Sequence, residues 1–197
     1  MEYNNESFIS LRYTKDDFLD LRLCLNSDDN WDTAIEIFQD RIQGRYFNVI
    51  DELIQREELM RDGFIIMALN CLLIETLLQF KNGWDETEGG NKRSYSDFLV
   101  SEFPRIFNLS LAGKFYSDIR CGILHSAQTK GKSKLTFNED YVVKLVKYQN
   151  KEYVKVDVKN FTTEIRNYYN RYLKMIENNK GDIRENFRKK MMYICLK

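Results

Sequence analysis

The stretch GFIIMALNCLLIETLLQF, residues 63–80, constrains this chain more than any other. A helix apolar on nearly all sides is satisfied only by lipid or by other protein elements packed around it. The run is nearly long enough to span a bilayer. Asn70, Glu75 and Gln79 interrupt it, and a carboxylate within the span argues against lipid. A helix surrounded by other helices is therefore expected, and no membrane partner. Asn70 and Glu75 must then find polar partners inside the fold, for Glu75 a backbone end or an arginine.

The remaining sequence supplies such neighbours. Pro104 is the one proline among 197 residues, and there are nine glycines. So few breakers favour long helices over many short strands, and the length suits one domain, 1–197, with a real core. KDDFLDLRLC (15–24) reads as a short helix, and Ser27, Asp28, Asp29 or Asn30 can cap the next one. Over 31–56, Ile35, Phe38, Ile42, Phe47, Ile50 and Ile54 form a broad apolar stripe, with Gly44 a point of weakness or bending. A polar, glycine-bearing loop over 81–94 leads to YSDFLVSEFPRIF (95–107), a helix that Pro104 kinks or ends. SLAGKFYSDIRCGILHSAQ (110–128) is the following helix, and TKGKSK breaks it.

The period then changes. YVVKLVKY and EYVKVDV are rich in valine and tyrosine and are separated by QNK, which predicts a β-hairpin at about 141–158, within an insertion beginning near residue 135. TTEIRNYYNRYLKMIENN and DIRENFRKKMMYICL return to helix. The expected class is all-α, a helical bundle with one small inserted β-hairpin.

Charge and cysteines narrow the function. The formal net charge is zero, which excludes a strongly basic coat and leaves only local basic clusters for nucleic acid. Cys24, Cys71, Cys121 and Cys195 form no C-x-x-C pair, so reduced thiols in a cytoplasmic protein are expected rather than a zinc site or disulfide framework. MEYNNESFIS at the N-terminus carries no charged-then-apolar signal pattern.

The chemistry concentrates in SDIRCGILHSA, residues 117–127, which holds the single histidine. His125 lies five residues after Arg120, and Asp118 two before it. On a helical wheel Leu111, Ala112, Phe115, Ile119, Gly122 and Ile123 share one face, with Ser126 on it at the C-terminal end. Leu124 and Cys121 lie opposite, beside Arg120, with Tyr116 at the edge, so the helix has a second, partly apolar surface. Either another helix of the same chain covers it or two copies meet there across a two-fold axis. Residues five apart diverge by about 140° on a regular helix, so one chain aims Arg120 and His125 poorly at one atom, whereas His125 of one copy could approach Arg120 of another. Asp118 and His125, seven apart, share a flank. On spacing alone, a lone helical histidine is more often structural.

FYSDIRCGILHSAQTKGKSKL resembles the signature helix of HEPN domains, in which an arginine and a histidine are separated by four to six residues; Arg120 and His125 match with a spacer of four. WDTAIEIFQDRIQGRYFNVIDELI and GFIIMALNCLLIETLLQF extend the likeness, which covers roughly residues 31–137. The resemblance implies a helical bundle that dimerises through the motif helix, a composite active site and metal-independent RNA cleavage, often as a toxin or in phage defence. Other HEPN domains are inactive and serve as binding or assembly modules. Cys121 departs from the asparagine, aspartate or histidine that often follows the arginine in active members, and Asp118 offers a polar group on the histidine's side.

Such cleavage uses the 2′-hydroxyl of RNA as nucleophile. His125 would be general base or acid, its unperturbed pKa range suiting the role. Arg120 would stabilise the phosphorane through its fork of donors. Asp118 would orient one of them or tune the histidine. Products would carry 2′,3′-cyclic phosphate and 5′-hydroxyl ends. No cofactor or metal is expected, since one histidine without clustered cysteines does not make a transition-metal site. Lys130, Lys132 and Lys134, in a flexible loop past His125, are candidate phosphate contacts. Arg41 and Arg45 are others, or they pair with acids such as Glu36 and Asp40. The alternative reading is a non-catalytic HEPN-like dimerisation module that binds RNA, a nucleotide or a protein partner; an antitoxin is a possible partner in either case. The hairpin would cap the bundle, extend the dimer or bind a partner.

Overall fold

Helix accounts for 64 % of the protein, roughly twice the share in an ordinary globular domain, and the remaining regular structure is one small sheet. The computed structural model describes residues 8–87, 91–178 and 182–197. Residues 88–90 of the expected polar loop, residue 179 of the expected penultimate helix and the first seven residues of the N-terminal stretch lie outside them. The described chain forms two units, neither continuous in sequence. One contains residues 8–51, 79–86 and 169–197 apart from the undescribed positions, and the other 52–78 and 87–168 apart from 88–90.

In the first unit, α1 (Lys15–Leu19) opens on a capping box in which Thr14 and Asp17 satisfy each other's backbone N–H groups. It is shorter than the expected 15–24, because the chain turns at Asp20 and Arg22 takes a left-handed φ of 46°. Helix α2 (Trp31–Ile42) begins at Asn30, whose side chain bonds Leu21 O instead of capping the helix. A π-helical segment, Gln43–Phe47, then joins it to α3 (Asn48–Gln55). The apolar stripe explains the segment. Ile42 and Phe47 are five residues apart and both fully buried, a step that a regular turn of 3.6 residues does not keep on one face.

Phe38 is the centre of this unit, its ring centroid 4.6 Å from Phe80, 5.4 Å from Phe187 and 6.0 Å from Tyr169. Arg184 closes one side: it donates to Ile176 O and Glu177 O at the end of α8 (Val158–Glu177), pairs with Asp28, and lies 4.6 Å from the Trp31 ring. Helix α9 (Ile183–Leu196) contributes Phe187, Met191 and Cys195 to the core.

The second unit holds most of α4 (Leu59–Asn82), the apolar helix. Ile66, Met67, Asn70, Cys71, Leu73, Ile74 and Leu77 are fully buried, but Ile65 and Leu72, seven apart, are 50 % and 42 % exposed. The helix is thus open along the stripe that carries Ile65 and Leu72 rather than covered all round. It is long and apolar enough to cross a membrane, yet 56 % of its most apolar window is buried within the fold, which is consistent with a core helix of a soluble protein. Helix α5 (Asn91–Glu102) starts earlier than Tyr95 and stops before Pro104. Phe98 and Phe103 pack on Tyr168 of α8, and Phe107 and Phe115 on Phe161.

The hairpin forms where the sequence places it: β2 (Val143–Tyr148) and β3 (Lys151–Asp157) pair antiparallel. Gln149 and Asn150 turn it with φ of 48° and 58°, the left-handed pair that a two-residue turn matching strand twist requires. The sheet nevertheless has a third member. β1 (Lys134–Thr136) runs parallel to β3 on its other edge, giving the order β1-β3-β2. The hairpin is therefore part of a three-stranded sheet, whose inner face presents the fully buried Val154 and Val156.

Candidate functional site

The helix carrying Arg120 and His125 is built in three pieces: α6 (Leu109–Phe115), a π-helical segment (Tyr116–Arg120) and α7 (Cys121–Ser126). Asn108 caps the start by accepting the Leu111 N–H at 2.9 Å. Leu111, Phe115, Ile119 and Ile123 are all buried and follow one another in steps of four. Keeping such a row on one face needs about 4.0 residues per turn against 3.6 in a regular helix, and the π segment supplies the excess. The expected core face is thus buried from Leu111 to Ile123, Ala112 and Gly122 included, whereas Ser126, expected on the same face at its C-terminal end, is exposed because the helix ends there and the chain turns away.

Ala127, with a left-handed φ of 50°, ends the helix and turns the chain back along it. Lys130 N–H donates to Asp118 O at 2.9 Å, and Thr129 Oγ1 to Ser133 O at 2.6 Å. Gly122 permits this return: a Cβ there would lie 2.5 Å from Gln128 O and 3.1 Å from Lys130 N. TKGKSK is therefore not the free loop expected from its composition. Thr129 and Ser133 are buried, and Lys134 already belongs to β1.

The three predicted site residues do not converge within one chain. Arg120 is 11 % exposed and donates through Nη2 to Glu75 Oε2 at 2.7 Å. Burial works against its charge, and the hydrogen bond and charge of Glu75 more than offset that, leaving its pKa above the ordinary value. The guanidinium also lies 5.3 Å from the Tyr116 ring, while its buried Nε has no acceptor among the described residues. Asp118 points elsewhere, 3.2 Å from Lys114 Nζ and accepting from Ser133 Oγ at 2.8 Å. His125 is exposed and makes no hydrogen bond or ion pair among the described residues.

The second surface of the motif helix is partly covered by its own chain. Tyr116 packs against Tyr95 at 5.3 Å, and Cys121 and Leu124 are half-buried. Burial pushes the nearby Cys71 thiol up to about 12. Within α4, Asn70 donates to Thr162 Oγ1 at 2.8 Å, and Asn70 Oδ1 has no partner among the described residues. Glu75 finds the arginine that its place in an apolar helix demanded. The Ser133 contact to Asp118 had no signal in the sequence, since only the folded return of the loop creates it. Lys114, one turn before Asp118, was legible as an i,i+4 pair.

The other basic candidates are occupied differently. Arg41 donates to Ile9 O and Arg45 to Phe8 O. Burial, with Arg45 nearby, lowers the Arg41 pKa to about 10. Arg12 instead takes the acids, Asp40 at 2.8 Å and Glu36 at 3.4 Å. Among the described residues no three His, Cys, Asp or Glu side chains gather to hold a metal ion. In comparisons with known proteins, no family model, curated protein or solved structure matches this chain.

Proposed function

We propose that this chain is a HEPN-type, metal-independent endoribonuclease of the cytoplasm whose active site is composite, His125 of one copy acting with Arg120 of a second. One observation carries the reading: an exposed histidine without a partner among the described residues follows, on one helix, an arginine whose buried Nε–H has no acceptor among them. A buried donor left unmatched costs about 1–3 kcal/mol, which an RNA phosphate or a group of the second copy would recover. His125 moves protons between the 2′-hydroxyl and the leaving 5′-oxygen, and Arg120 balances charge on the phosphorane. Asp118 acts through Ser133 and Lys114, fixing the π segment that aims Arg120. Leu124, one turn after Arg120, and Leu72, one turn before Glu75, give the dimer contact its apolar part. A role as toxin or phage-defence effector, with an antitoxin partner, follows from the family resemblance.

The test is RNA cleavage in EDTA by the wild type, His125→Ala and Arg120→Ala. Loss of the proton-transfer group is expected to slow cleavage by roughly 10²–10⁴, with 2′,3′-cyclic phosphate ends on the wild-type products. Magnesium-dependent 3′-hydroxyl products, or variants that cut equally well, would overturn the proposal. The Arg120–Glu75 pair favours a second reading, a non-catalytic dimeric module, because a carboxylate already holds the arginine's charge. A wild type that binds RNA without cutting it selects that reading.

A further inference from the structure

Three lysines form one row across the whole sheet. Lys134 of β1 is in register with Lys155 of β3, and Lys155 with Lys144 of β2. Neighbouring strands are about 4.8 Å apart, so the row spans about 10 Å, and directly opposed like charges destabilise a sheet. Alternation adds Tyr148 and Val146 of β2, Thr136 of β1 and Lys151, Tyr153 and Asp157 of β3 to the same face, opposite to the buried Val154 and Val156; Asp157 is itself buried, its oxygens taken by the N–H groups of Glu139 and Asn160. Tyr148 is 49 % exposed. Lys132 reaches over it, with Nζ 3.3 Å from the ring centroid, and Lys114 Nζ lies 6.0 Å from the Tyr153 ring. Among the described residues Lys132, Lys134, Lys144, Lys151 and Lys155 have no acidic partner, the ion pair between strands being Lys147–Glu152 at the hairpin end. In a chain of zero net charge, this is a local concentration of unmatched positive charge with tyrosines set among it.

We infer that this face of the sheet binds single-stranded RNA, with phosphates on the row Lys134–Lys155–Lys144 and a base stacked on the side of the Tyr148 ring that Lys132 does not cover. It rests on the proposed function only for the choice of RNA over DNA. Lysines supply sequence-blind phosphate contacts, and aromatic rings between them accept bases of any identity. A lipid headgroup has no π-face to stack, and the face offers Val146 as its sole aliphatic side chain. The route from the motif helix is short: the return loop anchored at Asp118 leads directly into β1.

The experiment is fluorescence anisotropy in EDTA with a labelled, 2′-O-methylated oligouridine, which 2′-attack cannot cleave, over a series of salt concentrations. The expected result is salt-sensitive binding by the wild type. Lys134→Gln/Lys144→Gln/Lys155→Gln should flatten the slope of log affinity against log salt by about 2, at about 0.7 per phosphate contact. Tyr148→Ala should weaken binding roughly tenfold, and both variants should keep the wild-type helical circular dichroism. The inference is overturned if the wild type does not bind. It is also overturned if the triple variant, still folded, keeps the wild-type slope, or if phosphatidylserine vesicles bind with the same lysine dependence while the oligonucleotide does not. Cleavage that ignores the triple substitution removes this inference and leaves the active-site proposal. Lysine-dependent binding without cleavage of unmodified RNA does the reverse.

Discussion

The helix from Trp31 to Gln55 and the helix from Leu109 to Ser126 are each interrupted once by a five-residue π segment, Gln43–Phe47 in the first and Tyr116–Arg120 in the second. In both, the extra residue keeps a row of apolar side chains facing the core. The surroundings differ. The first aligns Phe47 and Ile50 with Phe38 in an aromatic core, and its Arg45 is spent on a backbone carbonyl. The second places an aspartate and an arginine in partly buried ion pairs on a helix whose other face is packed. A π segment therefore reports a mismatch between residue count and helical pitch; only the polar groups it presents distinguish a packing device from a candidate site.

That contrast can be broken or sharpened by measurement. If the first segment serves packing, the greatest loss comes from the ring it helps to enclose. Phe38→Ala should cost about 3–5 kcal/mol in urea denaturation, and a loss below about 1 kcal/mol would remove the premise. The glycines beside the two segments should then respond differently. Gly122→Ala drives a Cβ into the backbone of the return loop, which cannot swing away, so about 1–3 kcal/mol should be lost. At Gly44 the new Cβ would meet Cδ1 and Cγ of Leu11, a side chain 59 % exposed that can move toward solvent without a backbone shift. Equal costs at the two positions would erase the distinction.

The neighbourhood of the second segment also has a pH signature. Burial raises the Cys71 pKa from 9.0 to about 12, so the folded thiol stays protonated while the unfolded one ionises. Its contribution is complete below pH 9 and is lost between pH 9 and 12, at roughly 1.4 kcal/mol per unit. Burial of Cys195 in the first unit adds loss over pH 9 to about 11. Urea midpoints at pH 8 and pH 10 should fall less in Cys71→Ala than in the wild type; parallel declines would contradict the assignment. The smallest expected effect is Gly44→Ala itself, within about 0.5 kcal/mol of wild type.

Much of this organisation was legible in the residues. Apolar periodicity located the helices, Pro104 the end of α5, and the change to a two-residue period the hairpin. Even the first π segment left a trace, since the step from Ile42 to Phe47 fits no regular turn. What escaped was non-local. β1 is three residues long and pairs parallel with a strand that follows a whole hairpin later, so no local pattern marks it. The site was half legible. A lone glutamate in an apolar helix demanded a partner, and Arg120 provides it, but the capture of Asp118 by Ser133 depends on a loop that folds back on its own helix. Composition read that loop as mobile because it counted lysines and glycine and could not register the buried Thr129 and Ser133.

The junction between β3 and α8 has one more implication. Asp157 is fully buried, and its two carboxylate oxygens accept the N–H groups of Asn160 and Glu139 at 2.9 Å each. Strand passes into helix at Val158 without a linker, and the same side chain clamps the segment that leads into β2. The sheet consequently has no swivel at its base. Cargo resting on its lysine face would load a stiff ledge fixed to α8, and any give would have to come from the far tip, at Gln149 and Asn150.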